Sequence, residues 1–266
     1  MKTAALAGLV LAAWVVIALT AGWLPLDPQR MTLPSILAGP DSLAWLGYDD
    51  LGRPVLDRLL VGARTSCWVA GGVVSLSLLF GTLIGSTAAY LGGRWDRALV
   101  MALDVFMAFP GILLAIALAG LLGPGIGNLV IALSLVGWVG FARLARAQVL
   151  SVKQREHVQA AQALGTRRRF IILRHLLPLI AAPLVVEATF AVAAVVVAES
   201  GLSFLGLGVQ PPEASWGSMI RDGVRYLLVA PHLVLAPGVA LFLVVLSVNL
   251  LGDRLRDRLD VRGGQA

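Results

Sequence analysis

LIAAPLVVEATFAVAAVVVA, residues 179–198, is a run of twenty residues that contains one charged side chain, Glu187. An α-helix rises about 1.5 Å per residue, so about 20 such residues cross the roughly 30 Å of hydrocarbon in a bilayer. The run is continuously apolar and lacks the period-two alternation of a membrane strand. A closed barrel has no place for a strand of this length. The segment therefore predicts a membrane-spanning helix.

Five further segments meet the same criterion: 4–23, 68–91, 99–121, 129–149 and 233–252. Of the 266 residues, 58% are hydrophobic and 14% charged, and the mean hydropathy is +0.87. A soluble domain of this length fills its core with far less apolar content, so the surplus faces lipid. The expected fold class is an all-α membrane protein with six transmembrane helices. The first segment reads as a retained helix and not a cleaved leader. Its apolar run is long for a leader and ends in Gly22-Trp23-Leu24-Pro25, without a small-x-small site.

The basic residues set the orientation. With the N-terminus inside, fifteen of the 21 Lys and Arg fall in cytoplasmic pieces, eight of them between Arg143 and Arg174. The outer loops hold Arg30, Arg53, Arg58, Arg64, Arg221 and Arg225, offset by Asp27, Asp41, Asp49, Asp50, Asp57, Glu213 and Asp222. Both termini are predicted to be cytoplasmic. The net charge of +6 thus belongs to membrane topology, not to a nucleic-acid surface. The outer stretch 24–67 holds five prolines and reads as irregular, ending in a short helix. Residues 199–232 read as a re-entrant or interfacial element, and Gly123-Pro124-Gly125 as a tight turn. One domain is expected: an N-terminal helix and outer segment (1–63), a transmembrane unit (64–253) and a cytoplasmic tail (254–266).

Between the fourth and fifth spans lies the stretch EHVQAAQALGTRRRF, residues 156–170. Its alanines favour a helix from about 152 to 164. Gly165 stands where a helix ends on a left-handed residue, and Thr166 is placed to cap a second helix. The elbow of 152–176 presents Ala160, Ala161 and Ala163 as a low-relief surface on which another protein can approach closely. Arg167, Arg168 and Arg169 open the second helix, where the helix dipole disfavours cations. Two explanations stay open: attraction to anionic lipid headgroups, or an acidic partner.

The order Gln159-Ala160-Ala161, Gly165, then Leu177-Pro178 resembles the coupling-helix signature of permease subunits of bacterial ABC importers. That signature usually opens with glutamate. Gln159 keeps the hydrogen bonding and loses the charge. The blocks around Trp45 to Arg53, Arg58 to Arg64, Asp104 to Pro110, Leu202 to Pro212 and Asn249 to Asp257 look like the C-type subunit of dipeptide, oligopeptide and nickel permeases. The resemblance implies a type I importer permease fold in the bacterial inner membrane, paired with a B-type permease subunit. It further implies one or two ABC ATPase subunits carrying ATP and Mg, and an extracytoplasmic substrate-binding protein. Peptides are the expected cargo, with nickel chelates or another small solute as the alternative. By the same resemblance Glu156, Gln159, Ala160, Ala161, Ala163, Leu164, Gly165, Arg167, Arg168 and Arg169 make the ATPase-coupling surface.

The chain has no ATP-binding motif of its own. Its two lysines, Lys2 and Lys153, follow no glycine-rich phosphate loop. An intramembrane enzyme would need a Ser/His, paired-Asp or metal constellation within the spans, and none is present. His157, His175, His232 and Cys67 are scattered and form no metal set, so no bound cofactor is expected. A stand-alone secondary transporter would be expected to show an inverted repeat, which is not evident. Three acids are candidate path or gate residues. Glu187 lies deep in the fifth span, as a path-lining group or an interhelical contact. Asp104 lies near Asp96 and Arg97 at the inner surface, where an ion pair is expected. Glu199 is placed at the outer end of the fifth span, within reach of water, as a cap or gate contact. Ser75, Ser77, Gly81 and Gly85 read as small residues for close helix packing.

Overall fold

The computed structural model describes residues 2–42 and 44–263. Ten α-helices follow one another, with no strand among the described residues: α1 (Lys2–Thr20), α2 (Val55–Leu91), α3 (Gly93–Met107), α4 (Gly111–Leu122), α5 (Ile126–Val152), α6 (Glu156–Ala163), α7 (Arg168–Phe170), α8 (Leu177–Phe204), α9 (Trp216–Val224) and α10 (His232–Gly263). A π-helical turn, Ile171–Leu176, joins α7 to α8 without a break, so Arg168–Phe204 is one continuous span.

The all-α membrane architecture is as expected, but the spans are not six straight helices. Among the described residues four helices are long and apolar enough to cross a bilayer: α2, α5, α7 through α8, and α10. The predicted third span, 99–121, is broken into α3 and α4, which meet at 85°. Pro110 lacks an N–H and pushes Phe109 out of helical geometry. Proline alone is not decisive, since Pro183 and Pro237 are carried inside α8 and α10. What differs is α3 itself. It carries Arg94, Asp96, Arg97 and Asp104 and buries only Leu99 and Leu103, so it cannot run through hydrocarbon at low cost. The first helix is shorter than the predicted 4–23, its apolar stretch being Ala5–Thr20.

The outer stretch before α2 does not end in a separate short helix. Helix α2 itself begins at Val55, well ahead of the apolar run at 68. Its start lies against α9, where Trp216 donates from Nε1 to the carbonyl of Leu59 at 3.1 Å. Helix α1 is tied to the same stretch by Trp14 Nε1, which donates to the carbonyl of Ala63 at 3.1 Å. Deeper down, α2 crosses α5 at near-backbone contact. A Cβ on Gly81 or Gly85 would run into Trp138, Phe141 and Ala142, and buried Ser77 sits opposite Gly137. Ser75 is exposed and takes no part. The core is a set of linked clusters, one joining α1, α2, α8, α9 and α10, another joining α2, α5, α6 and α8.

Candidate functional site: the elbow and the membrane cleft

Helix α6 is eight residues long, too short to be stable by itself. The bundle holds it through Val158 and Ala161, which are 0% and 8% exposed. Val158 joins Val149, Val152, Ile171, Ile172, Leu176 and Ile180 in the cluster that binds α5 to α8, and Ala161, one turn on, is buried on the same side of the helix. Ala161 therefore belongs to the anchoring side and not to the low-relief surface. The outward face consists of Glu156, His157, Gln159, Ala160, Gln162 and Ala163.

The helix ends as its glycine foretells. Gly165 has φ +77°, its N–H donates to the carbonyl of Gln162 at 3.0 Å, and the Thr166 N–H donates to that of Ala161 at 3.1 Å. This pairing closes the last carbonyls of α6 in a Schellman motif. It uses the Thr166 backbone, and the predicted Thr166 cap is not formed. The residue preceding α7 is Arg167, which makes no side-chain cap. The turn leaves Leu164 86% exposed, beside exposed Arg167, Arg168, Arg169 and Phe170. The tip of the anchored elbow thus presents a bare leucine flanked by three arginines. Arg169 stacks over the Phe170 ring at 5.0 Å.

Two polar ties brace the ends of the helices behind the elbow. Lys153 donates from Nζ to the carbonyl of Ala89 at 3.0 Å, satisfying an orphan carbonyl in the last turn of α2. Arg146 on α5 grips Asp96 on α3 with two bonds of 2.6 and 2.8 Å. The ion pair expected at Asp104 does not form: Asp104 is exposed and has no ion-pair partner among the described residues, and it is Asp96 that is paired, with Arg146.

A cleft of about 810 Å³ opens between α4, α5, α8 and α10. Its walls are small or apolar, including Gly111, Gly137, Ala194, Val197 and Gly201, with Asn249 as a polar exception. Phe190, Ala194, Val197 and Gly201 form one stripe of α8, and Glu187 continues it one turn inward. Glu187 is half-buried, and its Oε1 faces α5, where a Cβ on Gly140 would lie 3.5 Å away. It has no hydrogen-bond partner among the described residues.

Glu199 does not reach water. It is 0% exposed and accepts from Ser66 at 3.0 Å, Ser200 at 3.3 Å and Ser203 at 2.8 Å. Ser203 Oγ in turn accepts the Val209 N–H at 3.1 Å. The carboxylate thereby pins α2 to α8 and to the loop leading to α9. That loop ends in a capping box formed by Ser215 and Ser218. Sequence reasoning missed this cage, and also the ion network before and at the start of α2 in which Arg53 and Arg58 reach Asp49 at 2.7 and 3.4 Å. Arg58 extends to Asp222 at 3.8 Å. In the same corner burial, then neighbouring Asp49, push the Asp50 carboxyl above the usual range, against the pull of Arg53.

The sequence profile of the family described as binding-protein-dependent transport system inner membrane component matches residues 81–262. The nickel transport system permease protein NikC of Escherichia coli (strain K12) is 41% identical over 256 residues, which cover 96% of this chain and 92% of that one. The glutathione transport system permease protein GsiD of Escherichia coli O6:K15:H31 (strain 536 / UPEC) is 40% identical, over 92% of this chain and 82% of its own. The dipeptide transport system permease protein DppC of Alkalihalophilus pseudofirmus is 40% identical, over 97% and 86%. Among solved structures, a chain from the inward-facing MetNI methionine ABC transporter, native crystal form, superposes with a TM-score of 0.56. At 19% identity, over 74% of this chain and 95% of that one, that likeness carries the fold alone.

Proposed function

Because the chain belongs to the binding-protein-dependent inner membrane transport components and is a permease component of an ABC importer, we propose that α6 and its following turn are the lever by which partner ATPases drive it. The observation that carries the reading is the two-sided elbow. Val158 locks it to the α5–α8 core with Ala161 buried on the same side, while Leu164, Ala160 and the three arginines face outward. A force applied to the tip is transmitted to both spans at once, because one cluster holds all three elements. In this reading both termini are cytoplasmic and ATP with Mg is bound by the ATPases alone.

The 810 Å³ cleft is then this chain's half of the solute path, completed by a B-type partner permease. Glu187 lies at its inward end as the charged group a cargo amine or cation would meet. Cargo arrives from an extracytoplasmic binding protein. A short peptide is the favoured cargo, supported by relatives named for glutathione and for a dipeptide. The nickel permease relative, equally similar, names the competing cargo.

The test is association and transport by the reconstituted complex. Ala160→Trp and Leu164→Ala alter only outward-facing side chains, so the chain folds and inserts normally. A leucine buried in a partner's cleft contributes roughly 1.5–3 kcal/mol, so Leu164→Ala is expected to weaken ATPase binding by about ten- to a hundredfold. Unchanged ATPase binding and uptake in both variants would overturn the lever. Uptake of labelled dipeptide against nickel, each presented by the cognate binding protein, decides the cargo.

A further inference from the structure

At the inner end of α10 a second, separate cleft of about 390 Å³ is bounded by Leu251, Arg254, Leu255 and Arg258, with Ala5 of α1 on its other side. The helical period explains the composition of this face. Leu251, Arg254, Leu255 and Arg258 fall within about 100° of the helix surface, and neither Asp253 nor Asp257 is among the residues that line the cleft. The cleft face therefore carries two cations and no acid. Neither Arg254 nor Arg258 has an ion-pair or hydrogen-bond partner among the described residues.

Depth places these groups against a membrane scale. Measured along α10 from His232, Leu251 lies about 28 Å in, Arg254 about 33 Å and Arg258 about 39 Å. Hydrocarbon is about 30 Å thick, and the headgroup layers extend the bilayer to about 40–45 Å. Leu251 thus stands at the acyl boundary, and both guanidiniums stand in the headgroup layer with Leu255, about 35 Å in, between them. A guanidinium binds phosphate oxygens through two parallel N–H donors, and Ala5, Leu251 and Leu255 offer apolar wall to an acyl chain.

We propose that this cleft is a binding site for one anionic phospholipid, its phosphate held between Arg254 and Arg258 and its first methylenes against Leu251, Leu255 and Ala5. Net positive charge with no carboxylate in the cleft lining selects an anionic over a zwitterionic headgroup. The site requires only that α10 spans the bilayer and is independent of the cargo and of the ATPase lever.

Native mass spectrometry of the purified importer complex, released from micelles containing phosphatidylglycerol and phosphatidylcholine, reads the occupancy directly. The wild-type complex is expected to retain phosphatidylglycerol in preference. Each cation near an anionic surface contributes about fivefold, so Arg254→Gln with Arg258→Gln should lower retention by about twentyfold or more. Arg256→Gln removes the same charge from the other flank of α10 and should leave retention unchanged. Equal loss in Arg256→Gln reduces the effect to bulk charge and overturns the site, as does unaltered retention in the double variant. Displacement of the lipid by inorganic phosphate would assign the arginines to a soluble anion instead. Should the Gln variant fail to assemble, Arg254→Lys with Arg258→Lys keeps both charges and loses the forked donors. It is expected to lower retention a few fold, and unchanged retention there refutes the proposal equally. Retention is measured whether or not uptake occurs, so a failed lever leaves this result standing.

Discussion

Glu199 offers the sharpest test of how the outer half of the bundle is held. Three serine hydroxyls donate to its carboxylate, at 2.8, 3.0 and 3.3 Å, in a site with no exposure. Glu199→Leu keeps the bulk and removes every acceptor. An unmet buried donor costs about 1–3 kcal/mol, but a helical serine can turn to the carbonyl a turn earlier and recover part of it. The net loss is about 3 kcal/mol, or about a hundredfold in the population of the opened state. Glu199→Gln keeps one oxygen, and its amide can donate to a serine oxygen in place of accepting. That exchange costs about 1 kcal/mol, or about fivefold. Amide hydrogen exchange over 205–218 measures both. Val209 is the reporter, since its N–H is bonded to Ser203 Oγ inside the cage. Its protection should fall strongly in the Leu variant and mildly in the Gln variant. Unchanged exchange at Val209 in Glu199→Leu, or equal opening in the two variants, would refute the cage as the fastening.

Gly165→Ala forces a side chain into φ +77° with no steric obstacle around it, so it should cost about 1 kcal/mol, seen as faster exchange confined to 156–170. The Asp96–Arg146 pair is part-exposed and bidentate, and a double-mutant cycle with Asp96→Asn and Arg146→Gln should return a coupling of about 1 kcal/mol, read by thermal unfolding in detergent. A coupling near zero would mean that α3 is positioned by Leu99, Leu103 and the Phe106–Trp138 edge contact without help from the charges. For Asp50, a folded pKa raised above the unfolded one means that stability is full below the unfolded value and is lost as pH rises through the folded one. Asp50→Asn should therefore be more stable than the wild type at neutral pH, with the advantage vanishing in acid; an advantage that grows in acid would contradict this.

The spans were legible because hydrocarbon thickness converts directly into run length, and α2, α5, α8 and α10 all lie over predicted runs. Gly165 was legible because its job is a backbone conformation that few other residues adopt. The break at Ala108-Phe109-Pro110 was not, since hydropathy averages across a missing N–H, although the charges of α3 carried a warning. The inward phase of Ala161 was available from its spacing to Val158; helix propensity alone does not tell one side of α6 from the other. The Glu199 cage could not be read from spacing. Its partner Ser66 lies 133 residues away, and Asp96 is 50 residues from Arg146, so only tertiary packing brings them together.

The division of labour along α6 also bears on how such a protein can change over generations. Two of its eight positions, Val158 and Ala161, are committed to the interior, and the other six face outward. Drift at those six leaves folding untouched, so under the lever proposed above the tip can be re-keyed to a different engine while the scaffold behind it stays the same. A graft of the outward residues from a relative, with the two inward ones left alone, should transplant compatibility as a module.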